Sequence, residues 1–89
     1  MFLAKVTSPG CDDFVSLGKT KKQAIAGLID AYKGFYNYSE ETLKEEHNYD
    51  SFEQYFDDFL GVSLYEISVG ESIVCGYDVH YKNGERVRE

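Results

Sequence analysis

Apolar and polar positions alternate along this chain in two rhythms, a period of two towards both ends and a helical period between them. Phe2, Ala4 and Val6 alternate with Leu3, Lys5 and Thr7. Ser8-Pro9-Gly10-Cys11-Asp12-Asp13 then supplies turn chemistry before Phe14-Val15-Ser16-Leu17 and Gly18. This predicts an N-terminal hairpin, with the chain's one proline placed where a strand must stop. Thr20-Lys21-Lys22-Gln23 has the form of a capping box, with Thr20 as N-cap. Behind it Ala24, Ile25, Leu28, Ile29, Tyr32, Phe35 and Tyr36 recur at three- and four-residue spacing, which predicts an amphipathic helix ending near Asn37. Gly27 and Gly34 each cost such a helix about 1 kcal/mol relative to alanine. Gly27 reads as a point of close packing on the sheet and Gly34 as a point of fraying.

Ser39 is positioned to cap a second, shorter helix of one or two turns, with Glu40 and Glu41 favourable in its first turn and Leu43 as its one buried side chain. Ser51-Phe52-Glu53-Gln54 is another capping box. Phe52, Tyr55, Phe56, Phe59 and Leu60 follow at i, i+3, i+4, i+7 and i+8, and Gly61 lies where a helix-ending glycine belongs. Val62 to Val69 is rich in strand formers and stops at Gly70. Ile73, Cys75, Tyr77, Val79 and Tyr81 then alternate with Ser72, Val74, Gly76, Asp78, His80 and Lys82, with Gly76 marking a bulge. Asn83-Gly84 is a hairpin signal, and Glu85 to Arg88 forms a last short strand with Val87 facing inward. The expected fold is α+β: a single domain, residues 1–89, with an antiparallel sheet built from the N-terminal hairpin plus C-terminal strands. Two or three helices pack on one of its faces.

At 89 residues there is room for one core, and a chain of this size buries only about 60–65% of the surface it exposes when unfolded. Apolar residues make up 43% and aromatics 16%, too many for a disordered tail. Met1 is followed by an apolar stretch far too short for an export signal, and no run approaches the ~18 apolar residues of a membrane span. The expectation is a cytoplasmic protein whose Cys11 and Cys75 are free thiols.

The net charge of −7 is unevenly spread. Residues 1–38 carry +2, residues 39–66 carry −8, and residues 67–89 carry −1. The middle third therefore holds the whole excess. That argues against direct nucleic-acid binding, which needs a basic stripe, and for a basic partner or mimicry of a polyanion.

Chemistry is mostly absent from the pattern. Gly18-Lys19-Thr20 matches the end of a phosphate-binding loop, but the earlier glycine that loop requires is Asp13. Cys11, Cys75, His47 and His80 contain no pair at zinc-ligand spacing. Cys75 reads as a small core residue, His80 as a solvent-facing partner for cross-strand charges, and His47 as a surface charge relieving the repulsion of its acidic neighbours. No nucleophile, base and orienting group stand out together. The expectation is no enzyme, no catalytic residue, no metal and no cofactor.

The acidic segment is where local rules and sequence disagree. Glu41 and Glu45, and Glu53 and Asp57, are like-charged i,i+4 pairs that each weaken a helix by a few tenths of a kcal/mol. Asp57 and Asp58 sit in a last turn, where the helix dipole favours cations. Sites where local consistency fails are candidates for function. Carboxylates one helical turn apart lie about 6 Å apart along the axis, within the range of phosphate spacing. The candidate partner-binding residues are Glu40, Glu41, Glu45, Glu46, Asp50, Glu53, Asp57 and Asp58, with Tyr38 and Tyr49 as anchors.

In size, in the acidic block Ser39–Glu66 and in lacking an enzyme motif, the chain resembles the small acidic proteins that phages and mobile elements encode against host defences, anti-CRISPR and antirestriction proteins among them. That resemblance implies blockade of a nucleic-acid groove by imitation of phosphates, and it transfers no functional residue. Gly18-Lys19-Thr20-Lys21-Lys22-Gln23-Ala24-Ile25 also resembles the strand-to-helix junction of HicB-type antitoxin domains, G-x-T-x-x-E-A-hydrophobic, over about 20 residues, though no C-terminal DNA-binding segment follows. The first reading is thus a non-enzymatic inhibitor that engages a basic, nucleic-acid-binding protein through an acidic, tyrosine-containing face. The alternative is an antitoxin-like or regulatory module docking through an apolar surface. Neither involves membrane or direct nucleic acid, and a sheet covered on one side leaves a face through which a homodimer can form.

Overall fold

Strand β1 (Phe2–Thr7) is the centre of a three-stranded antiparallel sheet in the computed structural model, which describes residues 1–88. It pairs on one side with β2 (Asp13–Gly18) and on the other with β3 (Ser63–Glu66). The alternation in β1 turns Ala4 and Val6 into the core, and the register sets Phe14 opposite Val6 and Ser16 opposite Ala4. The connecting turn closes through Cys11 N–H to Ser8 O and Ser8 N–H to Asp12 O, both 2.9 Å, with Cys11 in the left-handed region at φ 67°. The predicted hairpin is present, its second strand one residue longer at each end, since Asp13 and Gly18 pair with Thr7 and Phe2.

Helix α1 (Lys21–Tyr36) lies across β1 and β2. Thr20 caps it by accepting the Gln23 N–H at 3.1 Å, and the Gln23 side chain returns to the Lys19 N–H at 2.8 Å, one residue earlier than a strict capping box. Asn37, at φ 55°, ends the helix, so Gly34 causes no early fraying. Gly27 sits directly over β2: a Cβ built there would stand 2.1 Å from Ser16 Oγ. The reading of this glycine as a close-packing point holds.

Helix α2 (Glu40–His47) is capped by Ser39 and stopped by Asn48 in the left-handed region; Leu43 alone is buried, as expected. Helix α3 (Phe52–Tyr55), capped by Ser51, continues as a single π turn, Phe56–Leu60, closed by Gly61 N–H to Phe56 O at 2.7 Å. The sequence pattern assigns one uniform α-helix here. In the widened turn the side-chain phase slips, so Phe59 leaves the buried stripe and is 54% exposed, while Phe52, Tyr55 and Phe56 stay in the core. These three rings, with Leu28, Tyr32 and Leu43, fill the space between the helices and the first sheet. Each such large side chain contributes about 1.5–3 kcal/mol by leaving water.

The remaining strands, β4 (Ser72–Val74), β5 (Val79–Lys82) and β6 (Glu85–Arg88), form a second antiparallel sheet in that order. The α+β class holds, with three helices and with C-terminal strands beside the N-terminal hairpin. The sequence pattern, however, implies one sheet, and the structure divides it into two along a molecule of 48 × 23 × 20 Å. The long alternating run 72–82 is broken because Gly76 and Asp78 take positive φ, 94° and 55°, and Tyr77 and Asp78 N–H both reach back to Val74 O. This turn reverses parity. Ile73 faces His80, not Tyr81, so His80 is buried at 6% and Tyr81 is exposed. The solvent-facing role expected of His80 is therefore overturned. Cys75 lies in the turn, half-buried, where a core position was expected. The register shift falls at His80/Tyr81 and not at Gly76; the extra residue in β6 is Val87, which is exposed where an inward position was expected.

Candidate interaction surface

Glu40, Glu41, Glu45, Glu46, Asp50, Glu53, Asp57 and Asp58 are all exposed. None enters an ion pair with another described residue. The fold does not gather them into a single row. On α2, Glu41 and Glu45 project opposite the buried Leu43, while Glu40 and Glu46 flank it on either side. Glu53 and Asp57 edge a groove of about 790 Å³ between α1 and α3, floored by Ile25, Ala26 and Ile29 and edged also by Lys22. At the end of the same groove Asp30, Glu40 and Glu53 lie together beside Lys33. Asp30 is an acid that the sequence reading did not include, because it belongs to a different segment. Lys33 extends its ammonium over the ring of Phe52, 5.2 Å from the centroid, which ties α1 to α3.

The two tyrosine anchors are half-buried and packed downward. Tyr38 stacks on Tyr32 with centroids 5.9 Å apart, and its hydroxyl donates to Glu46 Oε2 at 2.9 Å. Tyr49 meets Tyr55 edge-on at 5.5 Å. Tyr36 likewise donates to Asp12 Oδ2 at 2.6 Å, with Ser8 Oγ also 2.6 Å from its hydroxyl. The hydrogen bond to Asp12 raises the Tyr36 phenol, and that to Glu46 raises the Tyr38 phenol, so both remain donors that orient a carboxylate. Tyr32, whose hydroxyl lies 3.2 Å from that of Tyr55, is raised chiefly by burial.

His47 is not the isolated surface charge expected of it. Its ring lies half-buried, 4.9 Å from Tyr55, 5.9 Å from Phe59 and 6.1 Å from Tyr38. It is thereby the link in a continuous aromatic band that runs from Phe35 through Tyr36, Tyr38 and His47 to Phe59, each ring 5.0–6.2 Å from the next. Phe35 and Phe59, which periodicity assigns to buried stripes, are 66% and 54% exposed. Phe35 is out because α1 outruns the sheet: its ring partners are Tyr36 and Phe14, and Phe14 is only the second residue of β2. No pattern in the sequence marks these two rings as surface groups.

A second polar centre ties the two sheets. The Glu71 carboxylate accepts from Arg88 Nη2 at 2.8 Å, from the Ser68 N–H at 3.2 Å and lies 3.0 Å from His80 Nδ1; Arg88 also donates to Glu66 O at the end of β3. The guanidinium of Arg88, foremost among these, holds the Glu71 carboxyl at about 2. The cluster is structural in its connections, joining β6 to β3 and to the loop before β4. Among the described residues no group of three or more His, Cys, Asp or Glu is arranged to hold a metal ion, and no helix is long and apolar enough to cross a membrane. Cys11 and Cys75 are free thiols. Comparison with known proteins finds no matching family model, no matching curated protein and no matching solved structure.

Proposed function

We propose that this chain is a non-enzymatic binding protein, an inhibitor that engages a basic, nucleic-acid-binding protein surface through the acidic helical layer of α2 and α3. The observation that carries this reading is that all eight acidic residues between Glu40 and Asp58 are exposed, without ion pairing to other described residues. Uncompensated carboxylates on neighbouring turns repel one another, and that repulsion is relieved when a cationic surface docks. Lys22 and Lys33 moderate the charge of the α1–α3 groove, and Lys44 that of α2, against eight acids over the two helices and their connecting turn. The resemblance to small acidic anti-defence proteins agrees with this role and extends it to imitation of a phosphate backbone.

The test is the variant Glu41→Lys/Glu45→Lys/Asp50→Lys/Asp58→Lys, four acids that make no hydrogen bond between described side chains. Immobilised wild-type chain should capture from bacterial lysate a basic protein that duplex DNA displaces and that elutes steeply with rising salt; the charge-reversed chain should capture none. Capture that is indifferent to salt and to charge reversal would falsify the proposal.

A second reading, an antitoxin-like or regulatory module, is favoured by one specific observation. The face of the first sheet turned away from the helices presents Val15 and Leu17, 62% and 53% exposed, beside Leu3 and Tyr65. Docking there, by a partner or a second copy, buries apolar surface and would respond little to salt.

A further inference from the structure

The aromatic band gives the acidic reading a more specific chemistry. Two exposed phenylalanine rings terminate it, and two carboxylates stand at its polar edge: Asp12, held by the Tyr36 hydroxyl, and Glu46, held by the Tyr38 hydroxyl. Each carboxylate accepts from its tyrosine through one oxygen, which fixes its direction and leaves Asp12 Oδ1 and Glu46 Oε1 to other donors. Exposed rings and oriented carboxylates along one band favour planar cations, which stack on a ring and donate through their edges to a carboxylate. A guanidinium meets both demands, whereas an ammonium is a compact, strongly hydrated charge with no face to stack. Ring platforms also bind unstacked nucleobases, but the carboxylates and the net charge of −7 oppose the phosphates that would accompany them. Within the chain, Lys21 and Lys33 already lie over Phe2 and Phe52, 5.7 and 5.2 Å from the centroids, while no lysine among the described residues is found over Phe35 or Phe59.

We infer that the band Phe35–Tyr36–Tyr38–His47–Phe59 is a docking surface for arginine side chains of the basic partner, with Asp12 and Glu46 as the carboxylates that receive the guanidinium edges. This rests on the acidic-surface proposal and narrows it: the partner is bound through arginines in preference to lysines.

The experiment compares fluorescently labelled nona-arginine, nona-lysine and oligothymidine peptides or strands of equal length on wild-type chain at low salt. Nona-arginine should bind about five-fold tighter than nona-lysine, and oligothymidine should not bind. Phe35→Leu/Phe59→Leu keeps the apolar area and removes the ring faces; because both rings are more than half exposed, the fold should persist, as checked by thermal unfolding. In that variant the arginine preference should fall to near unity with nona-lysine affinity unchanged, and Phe35→Tyr/Phe59→Tyr should restore it. Equal wild-type affinities, a preference that survives in the leucine pair, or binding of oligothymidine overturns the inference. If the peptides bind equally and the four-lysine variant described above binds neither, only the arginine inference is lost. If the four-lysine variant binds both as well as wild type does, the acidic-surface proposal itself is lost.

Discussion

Gly27 and Gly34 offer the same substitution twice on one helix, with different expected outcomes. Replacing a glycine inside a helix by alanine stabilises it by about 1 kcal/mol, through the unfolded chain's lost freedom and the helix's better propensity. At Gly34 a Cβ meets nothing within 4 Å, so Gly34→Ala should show that gain undiminished. At Gly27 the new Cβ would stand 2.1 Å from Ser16 Oγ and 3.1 Å from Ser16 Cβ. The hydroxyl can rotate away, but the Cβ is fixed to β2, so α1 must lift by a few tenths of an ångström along its contact with the sheet. Overpacking of this kind costs about 1–3 kcal/mol. Helix propensity contributes equally at both sites, so the difference between the two variants isolates the helix–sheet contact at about 1–3 kcal/mol. Urea unfolding followed by far-ultraviolet circular dichroism measures it, with the midpoint of Gly34→Ala above wild type and that of Gly27→Ala below Gly34→Ala. Equal midpoints for the two variants would show that α1 does not pack on Ser16 as described. Adding Ser16→Gly should shrink the gap, since the obstructing side chain is then gone.

Leu43→Ala removes the one buried side chain of α2 and should cost about 2–4 kcal/mol, with amide exchange of residues 40–47 accelerating more than that of β1. Retained protection of α2 would mean that its capping residues alone hold it. Glu71, held at about 2 against an ordinary 4.5, adds stability that is full above the ordinary value and fades as pH falls towards 2. The gap between wild type and Glu71→Gln, read by thermal unfolding from pH 7 to pH 2, should therefore be widest above pH 5 and close below it; a gap independent of pH would refute the account of that cluster.

Local chemistry made much of this fold legible. Thr20, Ser39 and Ser51 cap their helices because a hydroxyl satisfies an amide three residues on, whatever surrounds it. The same locality carried the hairpin at Ser8–Asp12 and the exposure of the acidic segment, since eight carboxylates in a small protein have nowhere to go but water. The proposed site was only half visible for the opposite reason. Tyrosines can be counted in a sequence, but which rings are covered depends on the neighbours that the fold supplies. Tyr55 is enclosed by Phe56, His47 and Tyr49, whereas Phe35 lies past the edge of the sheet.

The sequence by itself determined the order of elements, their caps and the placement of charge, because each depends on residues within about one helical turn of one another. Only the tertiary structure decided parity. A π turn at Phe56–Leu60 sends Phe59 outward, and a tight turn at Cys75–Asp78 sends His80 inward and splits one expected strand into β4 and β5. Both are slips of a single position in a repeating pattern. A periodic sequence reads the same before and after such a slip, so only packing against distant residues selects which phase the chain adopts.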